Sequence, residues 1–202
     1  MTSPKYKEKE LLIMHALLKL LSDGMSISEI KTSDIAQAAG IGKGTLYNYF
    51  ETKEDIIART IVYSIDTQLT ELLEQMEAVD GFREKCYTVM RVVHGIASNE
   101  NSNFHLLLFN LGGKEMNQLF GGDMSFLWDA LAVIRERVLL LARTGEEEGL
   151  IAGGFDGEYT YSAFASALMG FIHARCRMDR PTDEALGRAM DNAYTLLLKA
   201  LS

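Results

Sequence analysis

Between residues 43 and 50 the chain reads KGTLYNYF, which crowds a lysine, a threonine, two tyrosines and an asparagine into one short segment. These are side chains suited to a nucleic-acid surface. The Lys43 ammonium can meet a phosphate or the O6 and N7 of guanine, Gly44 lets backbone approach a duplex, and Thr45 can touch a base edge or a thymine methyl. Tyr47 and Tyr49 can donate hydroxyl hydrogen bonds to phosphate, and Asn48 can contact adenine or the sugar-phosphate chain. Lys53 adds a charge at the start of a following helix, whose exposed N–H groups also favour an anion. A Tyr-x-Tyr-Phe run at helical spacing is ordinarily core. Packing here needs only Leu46 and Phe50, four apart, so Lys43, Thr45 and Asn48 are left for outside contact.

Such a segment is useful only if something holds it out, and the residues before it supply a brace. Ile35, Ala36 and Ala39 give a preceding helix a small apolar face, Gly40 permits a left-handed turn, and Ile41 can plug the angle between the two helices. Together these are the parts of a helix-turn-helix, whose second helix enters the major groove.

The rest of the chain reads as helix too. Prolines occur only at Pro4 and Pro181, no strand-like alternation of length appears, and apolar residues recur at helical spacing almost throughout. The spacing predicts helices over about 5–21, 32–40, 43–49, a long one after Thr52, then 82–98, 101–111, 123–148, 157–178 and 183–201. Leu11, Met14, Leu17, Leu18 and Leu21 form the buried stripe of the first. Thr52 can cap the long fourth helix, with Glu54 and Asp55 favourable in its first turn. Ile57, Ile61, Ile65, Leu69, Leu72, Leu73 and Met76 then run one apolar face along it, a candidate lever.

Charge and composition narrow the function classes. The net charge is −8, yet residues 1–60 hold eight Lys or Arg against eight Asp or Glu, so the whole excess lies in residues 61–202. An acidic body repels DNA and leaves the neutral N-terminal lobe facing it. Cys86 and Cys176 match no metal or disulfide spacing, and the four histidines fall on separate expected helices, so no metal site and no cofactor is expected. No G-x-S-x-G elbow, HExxH or phosphate loop occurs, which argues against an enzyme. His15 and Lys19 interrupt the apolar stretch from Leu11 to Leu21, so neither a signal peptide nor a membrane span is expected, and a reducing cytoplasm fits best.

The residues also carry a resemblance. From Leu11 to Ile57, with AL-x-x-L at 16–20, Gly24, DIAQAAG at 34–40, KGTLYNYF at 43–50 and TKEDI at 52–56, the chain resembles the TetR family of bacterial regulators. The resemblance implies an N-terminal helix-turn-helix DNA-binding domain, residues 1–52, and a larger helical effector-binding and dimerisation domain, residues 53–202. It implies a homodimer, usually a repressor, released from its operator by a small molecule. Two positions depart from the pattern. Lys31 stands where the family often has threonine, with Thr32 one place later, so both are candidate phosphate contacts; Gly42 stands where serine is common, at a cost of a few tenths of a kcal/mol as a cap.

The second domain says less. Ala163, Ala167, Gly170 and Ala174, followed by Leu186, Ala189, Met190, Ala193, Leu196 and Leu197, form two small-to-medium apolar stripes at helical spacing. They would serve equally as internal core; the resemblance favours a four-helix interface between two subunits. For an effector cavity the candidates are Met90, His94, Phe104, His105, Phe109, Met116, Phe120, Phe126 and Trp128, an adaptable apolar set in which the histidines could fix a polar group. Such a stripe is more often plain core.

The reading is therefore an all-α, dimeric, ligand-responsive transcriptional regulator that binds a palindromic operator and is released by an apolar effector. The rival readings are an activator, a regulator answering to a protein partner, and a helical interaction protein that no longer binds DNA.

Overall fold

The computed structural model describes residues 6–98, 125–178 and 181–202, with side chains at 6–96, 129–178 and 181–202. Every element among the described residues is a helix: α1 (Glu8–Ser22), α2 (Thr32–Ala38), α3 (Lys43–Leu46), α4 (Lys53–Glu77), α5 (Phe82–Ser98), α6 (Ser125–Glu147), α7 (Gly157–Cys176) and α8 (Asp183–Ala200). The helix expected over 101–111 lies outside the described residues. Residues 6–68 pack in one compact unit, and 69–98 with the described residues from 127 onward form a second. The boundary expected after residue 52 differs from this packing, because Ile56, Ile57 and Ile61 of α4 are buried in the same core as α1 and α2.

In the first unit Met14, Leu17, Leu18 and Leu21 of the expected α1 stripe are buried, joined by Ile13 and Ala16, while Leu11 lies half-buried at the edge. Lysine at the N-cap offers no side-chain acceptor, so at α1 and α2 an acid in the first turn serves instead. Glu10 accepts from the Lys7 N–H and Asp34 from the Lys31 N–H, each at 2.8 Å. The close of α2 follows a Schellman pattern: Gly40 sits at φ +65°, its N–H reaches the Gln37 carbonyl, and the Ile41 N–H reaches Ala36. An L side chain at that φ would cost roughly 1–2 kcal/mol. Thr52 caps α4 as expected, its hydroxyl accepting from the Asp55 N–H at 3.0 Å.

The second unit gathers α5 to α8 and the end of α4 around two cores, one centred on Phe82, Leu141, Ile151 and Leu197, the other on Phe171, Met190 and Ala193. Asp156 and Thr182 cap α7 and α8 through the N–H groups of Glu158 and Ala185. Helix α6 approaches the fully buried Phe82 ring so closely at Gly145 that a β-carbon there would stand 2.9 Å from it and 3.1 Å from Ile151. Gly145→Ala should therefore lower stability by about 1–3 kcal/mol through overpacking. A denaturant midpoint unchanged from wild type would show that the core yields there.

Candidate nucleic-acid interface and ligand cavity

A helix of one turn has no stability of its own, so α3 depends on what it buries. Leu46 and Phe50 are 0% and 1% exposed in the first core, and they fix the segment from both ends. The helix expected to run to Tyr49 tightens after Leu46: the Asn48 and Tyr49 N–H groups reach back three residues, to Thr45 and Leu46. Arg59 of α4 holds that end. Its guanidinium donates to the Tyr49 carbonyl at 3.0 Å, stacks 4.5 Å from the Phe50 ring centre, and pairs with Glu10 of α1 at 2.7 Å. Burial works against the Glu10 charge, but the Lys7 N–H and the Arg59 guanidinium outweigh it and hold the carboxyl below its usual range.

The opposite side of α3 faces out. Lys43, Gly44, Tyr47 and Asn48 are exposed, and Thr45 is half-buried. Nothing crowds Gly44, so backbone can be approached there. The Tyr47 ring, 47% exposed, lies 5.9 Å from the Lys43 ammonium, and its hydroxyl meets the Thr32 hydroxyl at 3.3 Å. Thr32 at the start of α2 and Tyr47 at the end of α3 thus present adjoining hydroxyls beside a cation, with Lys31 exposed next to them. Such a surface offers charge and donors to phosphate and short side chains to base edges.

In the second unit, five helices enclose an apolar cavity of about 310 Å³. Its wall takes Leu69, Leu72, Leu73 and Met76 from the end of α4, Cys86, Val89, Met90 and Val93 from α5, and Ile134, Arg137, Val138 and Leu141 from α6. Tyr161, Phe164, Ala165, Ala167 and Leu168 of α7 and Ala193, Tyr194 and Leu197 of α8 complete it. Burial, with the nearby Glu148 charge adding to it, pushes the Cys86 thiol up to about 12, so it stays un-ionised and unreactive. Burial likewise raises the Tyr194 hydroxyl, which keeps it neutral. The volume lies at the low end of the range for small-molecule sites.

Comparison with known proteins places the first unit. Residues 13–60 match the model of "Bacterial regulatory proteins, tetR family". Over these residues the chain is similar to the DNA-binding domain of that family. An HTH-type transcriptional regulator, SAR0097, from Staphylococcus aureus (strain MRSA252) is 36% identical over 61 residues, 30% of this chain; the chain spans about a third of that relative's length, 32%. Among solved structures, the regulatory protein TetR from Rhodobacter sphaeroides superposes with TM-score 0.64 at 20% identity, covering 97% of this chain and 100% of that one. The fatty acid degradation regulator FadR from Bacillus halodurans gives 0.62 at 18% identity, covering 96% of each chain. At those identities the likeness is one of fold, and the all-helical TetR architecture extends over both units.

Several expected positions acquire other surroundings in the structure. Lys53 donates to the Ile27 carbonyl, so one of its three N–H bonds secures the loop between α1 and α2. The Tyr49 ring packs half-buried against the first core. Met90 lines the cavity, but His94 does not: its Nδ1 accepts from the Arg175 Nε at 2.9 Å, and burial, then the Arg175 charge, lowers its basicity. Phe104, His105, Phe109, Met116 and Phe120 lie outside the described residues; Phe126 and Trp128 fall in α6 with their side chains outside them.

The expected interface stripes differ in exposure along their length. Ala167, Ala189, Ala193 and Leu197 are only 8%, 6%, 4% and 4% exposed, buried where α7 and α8 pack on α5 and on each other. Ala163, Ala174 and Leu186 lie half-buried against the same cores, and of the two stripes only Gly170 and Leu196 are exposed. The outward face carries Met169 and Leu196, 61% and 58% exposed, with Tyr159, Ser162 and Ser166 beside them. Sequence reasoning also missed Arg59 and the α4, α7 and α8 walls of the cavity. An arginine set among the apolar residues of α4 was the available signal for the first.

Among the described residues no cluster of three or more metal-binding side chains occurs, and no helix is long and apolar enough to cross a membrane.

Proposed function

We propose that the protein is a dimeric transcriptional regulator, acting as a repressor in the cytoplasm, that binds a palindromic operator through α3 and lets go when a small apolar effector fills the cavity of its second unit. The observation that carries this reading is the division of α3 into two sides. Leu46 and Phe50 are enclosed, and Lys43, Thr45, Tyr47 and Asn48 are turned out on a domain that matches the TetR family. The outward face of α7 and α8, with Met169, Gly170 and Leu196, is the surface we assign to a second copy. Its small residues admit close helix approach, and a two-fold pairing presents two α3 segments to half-sites about 34 Å apart.

Release requires the effector to prefer the conformation that does not bind DNA. Helix α4 suits the link, since its first turns belong to the DNA-binding unit and its last to the cavity wall. Selection of bound sequences from random duplexes tests the DNA reading. Wild type should enrich a palindrome; Thr45→Ala should change the preference at one position of each half-site, and Lys53→Ala should weaken all sequences alike. Enrichment of no sequence, or an altered preference with Lys53→Ala, would count against these assignments.

A further inference from the structure

Beside the apolar cavity lies a smaller recess of about 110 Å³ that shares Leu73, Met76, Arg137 and Leu141 with it and differs in chemistry, because Lys85 and Glu77 stand on its rim. Arg137 is the only charged side chain among the described residues lining the large cavity, and it belongs to both spaces. Neither Lys85 nor Arg137 forms an ion pair with a described residue. The recess therefore holds two cations against one carboxylate, while the cavity next to it offers hydrocarbon, two tyrosine hydroxyls and an un-ionised thiol.

We infer that the ligand of this cavity is an amphiphilic monocarboxylate, its hydrocarbon body in the cavity and its carboxylate in the recess between Arg137 and Lys85. This inference rests on the cavity being the effector site. The apolar wall gains from burying hydrocarbon and gives a charged body no compensation. A guanidinium matches a planar carboxylate through two parallel N–H bonds, and Lys85 adds a second charge that outweighs Glu77. A neutral head leaves the excess positive charge of the recess unanswered, and a cationic head is repelled by it.

Calorimetric titration of the full chain, without DNA, separates the cases. The probes are decanoate, decan-1-ol, decyl phosphate and decyltrimethylammonium. Decanoate should bind about tenfold or more tighter than decan-1-ol, as one charge-assisted contact allows, and the cation should not bind. Arg137→Gln should bring decanoate down to the level of decan-1-ol and leave decan-1-ol unchanged, and Lys85→Gln should produce part of that loss. Equal binding of decanoate and decan-1-ol, an equal loss of both in Arg137→Gln, or decyl phosphate binding tenfold tighter than decanoate would overturn the carboxylate assignment. If decan-1-ol binds and Ala165→Trp abolishes it while decanoate is no tighter, the cavity stands and the carboxylate falls. If none of the four binds, the cavity is not the effector site.

Discussion

Phe50→Ala should destabilise the first unit by about 3–5 kcal/mol, the range for removing a fully enclosed aromatic ring, and should abolish operator binding. The ring is 1% exposed, and with Leu46 it is one of the two anchors that hold the one-turn α3 on the core. Its loss also strips the face on which the Arg59 guanidinium rests, at 4.5 Å, and so loosens the grip of Arg59 on the Tyr49 carbonyl. Against a total stability of roughly 5–15 kcal/mol for a domain, the loss is large enough to expose α3 even where the second unit remains folded. Denaturant unfolding followed by circular dichroism reads the stability, and calorimetric binding of decanoate reads the second unit. A Phe50→Ala protein of wild-type stability and wild-type operator affinity would mean that α3 is held by something else.

The second large effect is expected at the outward face of α7 and α8. Leu196, 58% exposed, lies 4.0 Å from where a β-carbon on Gly170 would sit, so a bulky side chain at 170 must displace it. In a two-fold interface each substitution acts twice, and a glutamate at 196 places two like charges in an apolar contact. Leu196→Glu and Gly170→Trp should each give monomers by sedimentation. Operator affinity should then fall by about 10²–10⁴, since a monomer engages one half-site and loses the effective concentration that tethering supplies. Unchanged dimers in both variants would place the interface on another face. Because Ala189, Ala193 and Leu197 are enclosed in the subunit, changes there should disturb folding before association.

What could be read in the amino-acid order follows from the distance over which each feature acts. The helix-turn-helix is local: the brace, the glycine turn and the contact residues lie within 23 consecutive positions, 31–53, so residue type and spacing nearly define it. The Thr52 cap on α4 was legible for the same reason, the cap and its partner Asp55 being three residues apart. The cavity is different, since its wall combines residues from Leu69 to Leu197 on five helices, and no single segment carries its signature. Helical spacing also shows that a face is apolar without showing what covers it. For Ala167, Ala193 and Leu197 the cover is largely the subunit's own core, while Leu196 of the same stripe and Met169 beside it stay exposed. His94 was a reasonable candidate by type, but its partner Arg175 lies 81 positions further on, beyond what a local pattern can report.

The claim on which the rest depends is that α3 presents this chain to a specific DNA sequence, and a salt titration measures it most directly. Binding to the duplex upstream of its own gene, and to a random duplex of equal length, is followed at several salt concentrations. Binding should be saturable, with an affinity that falls linearly on a log-log scale with salt, from neutralised phosphates, and should prefer the specific duplex by about 10³-fold or more. Binding that is absent, insensitive to salt, or equal on the two duplexes would contradict it.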